Sequence, residues 1–292
     1  FDRSRIGPYA YDLVRFLISV SLSRDIQNDV FLHPVITEQF KRGYLSGFAS
    51  QNPDFDEMYE LRTTEPKKWQ ASTNSYLDSG KKWAKRLSLH QTKITKRLTS
   101  MLTDYLKNRD ELKLLERHQL KSCAEVTGSM GKLHHLYLLQ DRKEKRDALL
   151  IDIKEVYQEQ DNQWYTNPFE HHGQRMNAAG DLYAPNWEQK PGHTSYKGQQ
   201  YWVRQIPTQQ IKITIPLNQL DQCDLCYAVG SQLGSGHARA STEEQRIQIL
   251  NDFNDKFEQY VEIGSVMRNQ IILARNAYCK HVLKHGHLRA AK

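Results

Sequence analysis

Apolar positions recur at helical spacing through residues 1 to about 118. Tyr11, Val14, Leu17, Ile18 and Leu22 share one face. Leu98, Met101, Leu102, Tyr105, Leu106, Leu112 and Leu115 share another, with Lys and Arg opposite. Both runs predict amphipathic helices, and the stretch between them, Asp54 to Trp83, is polar and less regular. The period changes over 120–156, where a turn signal at Gly128-Ser129-Met130-Gly131 precedes two strand-like runs. The first holds Leu133, Leu136, Tyr137, Leu138 and Leu139; the second is Ala148 to Val156, with Leu150, Ile151 and Ile153 before Lys154. The dense charges from Asp141 to Asp147 suit an exposed loop between them. A helix is expected over Phe169 to Leu182, then strands at Gln200–Ile206 and Ile211–Ile215, punctuated by Pro207 and Pro216. Helical spacing returns at Leu225–Arg239 and in a long helix through Ile247, Leu250, Phe257, Tyr260 and Val261.

This order predicts an α+β chain of two lobes. A helical lobe takes residues 1–118 and 217–292, and a small sheet lobe, 119–216, is inserted between its halves. A chain of 292 residues is long enough to give each lobe its own core. With 38% hydrophobic and 26% charged residues it reads as globular rather than disordered. No apolar run reaches the roughly 18–20 residues of a membrane helix, and the longest, Leu13 to Leu22, contains Arg15. No membrane partner is expected. Four cysteines are too sparse for a disulfide scaffold, and no secretory leader opens the chain, so a reducing cytoplasm is the expected setting. The net charge of +7 favours anionic partners: ATP, phosphorylated substrates or nucleic acid.

The glycine turn and Lys154 carry the first candidate chemistry. Glycine lets backbone N–H groups approach phosphate oxygens that a side chain would hold off. A lysine on the next strand can then reach the α and β phosphates. Gly128, Ser129 and Gly131 are the candidate phosphate turn, and Lys154, in an Ile-Asp-Ile-Lys setting, is the candidate clamp. An ordinary surface hairpin with a lysine beside it fits the same residues.

The opening "FDRSRIGPYAYDLVRF" resembles the segment after the catalytic loop in aminoglycoside-phosphotransferase-like and choline-kinase-like proteins. The resemblance implies that Asp2 holds Mg²⁺ and that Asp12 buttresses the catalytic loop. Asp12 is also an ordinary acidic residue in the first turn of a helix. In a kinase the glycine turn and lysine precede the metal Asp; here they follow it by more than a hundred residues, which a circular permutation would produce.

Taken in order, Phe1-Asp2, Gly7-Pro8-Tyr9-Ala10-Tyr11-Asp12, Gly128 to Gly131, Ile153-Lys154-Glu155-Val156, Gly173-Gln174-Arg175, Val203-Arg204-Gln205-Ile206 and Gly236-His237-Ala238-Arg239 resemble the bacterial domain of unknown function 2252, of the protein-kinase-like group. The match runs across nearly the whole chain. Each motif is short; their joint order is specific. The resemblance implies a circularly permuted, kinase-like, two-lobed fold that uses ATP and Mg²⁺, with His237 and Arg239 supporting the catalytic loop. That family's G-D-x-H-x-x-N loop would precede Phe1, so the chain reads as an amino-terminally truncated piece lacking the catalytic Asp and Asn. Two departures stand out. Pro207 to Gln210 replace a charged run, and His172 stands where the family has the Glu before G-Q-R, leaving Glu170 as the nearest candidate to pair with Lys154.

Other features invite plainer readings. "DFDE" at Asp54 to Glu57 mimics a metal turn but follows Pro53, as a helix start would. Cys223 and Cys226 form a lone CxxC in a helical context, with no second pair for zinc. The histidine pairs His134-His135, His171-His172 and His285/His287 read as surface or loop residues. Lys81 to Arg97 holds seven basic residues and no acidic one, a solvated helix face or a platform for acidic ligands. Three functions therefore stand open. They are an ATP-dependent phosphotransferase of unknown acceptor, a catalytically inactive nucleotide-binding or interaction protein of the same fold, and a helical nucleic-acid binder. Steeply salt-dependent binding to DNA or RNA without ATP binding would single out the third.

Overall fold

The computed structural model describes residues 4–23, 32–53, 82–128, 131–143, 148–158, 160–185, 189–206 and 218–285. Asp2, Ser129, the Asp54–Glu57 mimic, Lys81, Pro207 to Gln210, the expected strand Ile211–Ile215 and His287 lie outside them. The chain divides into two compact units. The first draws on Phe1–Gly7 and Thr64–Ile215, the second on Pro8–Thr63 and Pro216–Lys292.

The first unit is built on an open, mixed-sequence-order antiparallel sheet. Its strands are β1 (Gln91–Thr92), β2 (His118–Thr127), β3 (Leu133–Asp141), β4 (Ala148–Glu155), β5 (Gln189–Tyr196) and β6 (Gln199–Gln205), in the order β1-β2-β3-β4-β6-β5. β5 and β6 are joined by Lys197 and Gly198 at φ 49° and 79°, the pair of positive values that a two-residue hairpin of matching twist requires. The sequence pattern misses β5 because Pro191 and Gly192 read as loop. Pro191 is tolerated because β5 is an edge strand. Gly192 is required because a Cβ there would lie 2.6 Å from Tyr105 Cε2.

The helices of this unit are α3 (Lys82–Leu89), α4 (Lys96–Asn108), the single turn α5 (Leu114–Arg117) and α6 (His172–Tyr183), numbered after α1 (Ala10–Ser23) and α2 (Pro34–Ser50) of the second unit. Thr95 caps α4 by accepting from Leu98 N at 3.3 Å. Leu98, Met101, Leu102, Tyr105 and Leu106 then pack on Cys123, Tyr137, Leu139, Ile151, Ile153, Tyr201 and Val203. The expected continuous run to Leu115 is corrected: α4 ends at Asn108. Asp110 adopts φ 57°, its N–H donates to Lys107 O at 3.0 Å, and Glu111 N donates to Leu106 O at 2.8 Å. This is a left-handed helix stop with Asp where glycine is usual.

α6 starts later than expected because His171 is its cap: its Nδ1 accepts from Gly173 N at 3.0 Å. Burial first, and then the charge His193 would carry with its ring 4.3 Å away, hold the His171 imidazole down at about 4. Only the neutral ring can accept the Gly173 N–H. The unfolded chain therefore takes up a proton near the ordinary 6.5 while the folded unit resists it. The stability this contributes is complete above pH 6.5 and is lost as pH falls towards about 4. Urea midpoints at pH 7 and pH 5 should fall less in His171→Asn, which keeps a cap acceptor, than in the wild type. Equal falls would contradict this account.

The second unit contains α1, α2, α7 (Gln219–Ala240) and the long α8 (Glu243–His285). α7 begins earlier than the pattern suggests because Asn218 Oδ1 accepts from Asp221 N at 2.9 Å. Leu13, Leu17, Ile36, Phe40, Tyr44, Phe48, Cys226, Phe253 and Phe257 make one core. Cys226 belongs to that core, Cys223 packs against it, and all four cysteines are free. α2 and α7 touch backbone to backbone. Cβ atoms on Gly43 and Gly47 would lie 2.0 Å from Tyr227 O and Ser231 O; on Gly230 and Gly234 they would lie 2.4 and 2.1 Å from Phe40 O and Tyr44 O. Among the described residues, no helix is long and apolar enough to cross a membrane.

Candidate functional site

Directly paired residues in an antiparallel sheet share a face. One face carries Tyr137, Ile151, Ile153 and Val203 and is closed by α4. The opposite face carries two rows. Val126, His134, Lys154, Trp202 and His193 pair in succession across β2, β3, β4, β6 and β5. Ala124, Leu136, Asp152 and Arg204 form the neighbouring row.

Both ends of this second face are covered. Leu87 of α3 packs there with Ala124, Leu136, Leu138, Leu150 and Ile206. Met176 of α6 packs with Val156 and Trp202, whose Nε1 donates to Asn177 Oδ1 at 2.7 Å. Between the two covers lie His134, Asp152, Lys154 and Arg204. Asp152 is 2% exposed, and a buried carboxylate needs partners. Both its oxygens meet His134 Nδ1, at 3.0 and 3.1 Å. Arg204 stands opposite it in register, its guanidinium 4.8 Å from the centre of the Trp202 ring.

The glycine turn adjoins this strip. Gly128 N donates to Lys132 O at 2.8 Å, and Gly131 N donates to Gly128 O at 3.0 Å. Both glycine N–H groups therefore close the turn itself. What the glycines supply is room: Gly131, at φ 76°, has nothing within 4 Å of a built Cβ, and a Cβ on Gly128 would lie 2.9 Å from His134 Nε2. His134 is thus held at Nδ1 by Asp152 and faces the turn with Nε2. Beside the turn, Lys132 Nζ pairs with Glu155 Oε1 at 3.3 Å and lies 4.7 Å over the Tyr157 ring.

Lys154, half-buried, is two strands from β2 and two residues along from the turn, opposite His134 and Trp202. Glu170 is exposed ahead of α6, and its carbonyl accepts from Gln200 Nε2 at 3.2 Å. The carboxylate on Lys154's own strand and face is Asp152. Gly173 and Arg175 hold α6 in place. A Cβ on Gly173 would lie 2.6 Å from Tyr201 O. Buried Arg175 donates from Nη1 to Ser4 O and from Nη2 to Tyr157 O at 3.2 Å. Ile6 and Thr166 add two reciprocal backbone bonds of 3.0 Å. The segment that follows Asp2 in sequence is thereby tied to the exit of the Lys154 strand.

The histidine pairs need correction. His134 and His135 are strand residues, not surface loop. His135 is fully buried, 3.1 Å from Glu125 Oε1, and burial together with the Arg97 charge holds its imidazole below the ordinary range. Arg97 itself pairs with Glu125, so it leaves the basic run that begins at Lys81. His134 and Asp152 are the site residues the sequence reading missed. Their strand alternation was visible, but their pairing depends on a register no local signal specifies.

In the second unit His237 is 5% exposed. Its Nδ1 lies 3.0 Å from Tyr44 Oη and its Nε2 3.4 Å from Asp12 Oδ2, in the first turn of α1. Arg239 Nε donates to Ser235 O at 3.4 Å, within its own helix. Tyr9 donates to Asp252 Oδ2 at 2.7 Å; burial, then Tyr260 and Asp252, push its phenol far above the ordinary range. Among the described residues, no group of three or more His, Cys, Asp or Glu is placed to hold a metal ion.

Residues 37–276 match the bacterial family described as "Uncharacterized protein conserved in bacteria (DUF2252)". No curated protein and no solved structure matches the chain.

Proposed function

The chain belongs to the DUF2252 family, and we propose on that premise that its sheet unit binds Mg·ATP as part of a kinase-like, circularly permuted phosphotransferase. The observation that carries this reading is the position of Lys154. Among the described residues it stands on a polar strip between the parts of a sheet face covered by α3 and α6, beside a turn in which Gly131 faces open space.

In this reading Lys154 neutralises the α and β phosphates, and His134, oriented by Asp152, presents Nε2 towards the same phosphates. Asp2 is the proposed Mg²⁺ ligand. One carboxylate is a sufficient protein contribution, because Mg²⁺ keeps several waters and takes its other ligands from phosphate. Bound there, the ion would neutralise phosphate charge during transfer. The chain's own residues bind and orient; positioning and charge neutralisation are the main contributions to in-line transfer. Arg175 supports the arrangement by holding Ser4 and Tyr157 together.

The closed hydrogen bonding of Gly128 and Gly131 favours a second reading, a catalytically inactive nucleotide-binding protein of the same fold. Hydrogen-exchange mass spectrometry tests what both readings share. Added Mg·ATP should protect peptides covering 126–134 and 150–158 while leaving 263–278 unchanged. No protection in the first two segments would remove the nucleotide site, and with it both readings.

A further inference from the structure

The carboxy-terminal half of α8 exposes an apolar stripe that the nucleotide reading does not use. Ile263, Val266, Met267, Ile271, Leu273 and Tyr278 are 47%, 56%, 46%, 41%, 69% and 62% exposed. At about 100° per residue these six fall within an arc of roughly 160°. Ala274 and Ala277 lie in the same arc and are exposed; Gln270 is its single polar position. The flank of the helix next to Ile271 faces its own unit through Phe257, Arg268 and Val282. An exposed apolar stripe rimmed by charge is the pattern of an interaction surface.

The charges beside the stripe specify the partner. Glu262 and Lys280 are separated by five helical turns at 3.6 residues per turn, so they lie on one line along the same edge of the stripe. Asp255 lies on nearly that line, further towards the amino terminus. One edge is therefore acidic before the stripe and basic after it. Glu262 and Lys280 are equidistant from Ile271, near the stripe's middle. When two such helices pack antiparallel, like edges face each other, and a two-fold axis through Ile271 sets each Glu262 against the Lys280 of the other copy. A parallel pairing would set opposite edges of the stripe against each other and leave Glu262 and Lys280 without this match.

We infer that α8 pairs antiparallel with α8 of a second copy of this chain, through the stripe from Ile263 to Tyr278 and with Glu262 facing Lys280. The interface is isologous, as a two-fold dimer requires. The stripe is about 24 Å long at 1.5 Å per residue, which places the contact at the low end of specific interface sizes. The dimer is accordingly reversible and concentration-dependent.

Sedimentation velocity across a concentration series tests this on the full-length protein. The wild type should pass from monomer to dimer. Ile271→Glu, at an exposed position, should weaken the dimer at least tenfold with an unchanged circular dichroism spectrum. Glu262→Lys should also weaken it, and adding Lys280→Glu should restore it. A wild type that stays monomeric at its highest soluble concentration overturns the inference. So does association that is indifferent to Ile271→Glu, or a charge exchange that restores nothing.

Discussion

Gly47→Ala should destabilise the helical unit by at least about 2 kcal/mol, although the same exchange in an exposed helix gains about 1 kcal/mol from propensity. The added methyl would sit 2.0 Å from Ser231 O, a backbone atom in a regular helix that cannot swing aside. α2 and α7 must separate, which opens the contacts of Tyr44 and Phe48 with the shared core. Overpacking of close-packed interiors typically costs 1–3 kcal/mol, and a rigid backbone partner puts this site at the upper end. Gly43, Gly230 and Gly234 face the same constraint, at 2.0, 2.4 and 2.1 Å. Gly47→Val adds β-branching and should leave no folded helical unit at 37 °C. Thermal and urea unfolding of the four single Ala variants checks this; a variant as stable as the wild type would mean that the two helices do not meet through these glycines.

Those glycines also show how far the sequence could be read. Gly43 and Gly47, and Gly230 and Gly234, repeat the same four-residue spacing in plain view, yet spacing alone does not say which helix approaches which. Elements with one strong period were legible: α1, the body of α4 up to Leu106, β3, β4 and β6 lie where the apolar pattern puts them. β5 was not, because an edge strand tolerates a proline and a glycine that would disqualify a central one. The stop of α4 at Asp110 was hidden because aspartate performs a turn usually signalled by glycine. α8 runs well past Val261 because its later apolar residues occupy an outward stripe as well as the inward face, which blurs the period. Of the candidate site, Gly128, Gly131 and Lys154 stand out by local signals. The link between His134 and Asp152 does not, since the pairing of β3 with β4 is fixed across a charged loop that encodes no particular turn.

Loss of the Lys154 ammonium should have the largest effect on binding. A hydrogen bond to a charged group contributes about 1.5–3 kcal/mol, so removing the ammonium should weaken Mg·ATP roughly 10- to 100-fold, at 1.4 kcal/mol per tenfold. Lys154→Met is the sharper variant because it retains the apolar stem of a half-buried side chain. Lys154→Arg should not fully rescue, since a planar fork replaces a compact point charge. Stability should change little in either variant, which separates loss of binding from loss of fold.

The most direct test of the nucleotide site is calorimetric titration of Mg·ATP into the full-length wild type and Lys154→Met. Binding by the wild type that falls at least roughly tenfold in the variant is the predicted result. No binding by the wild type, or equal binding by both, would contradict it, and the glycine turn with its lysine would then be an ordinary hairpin.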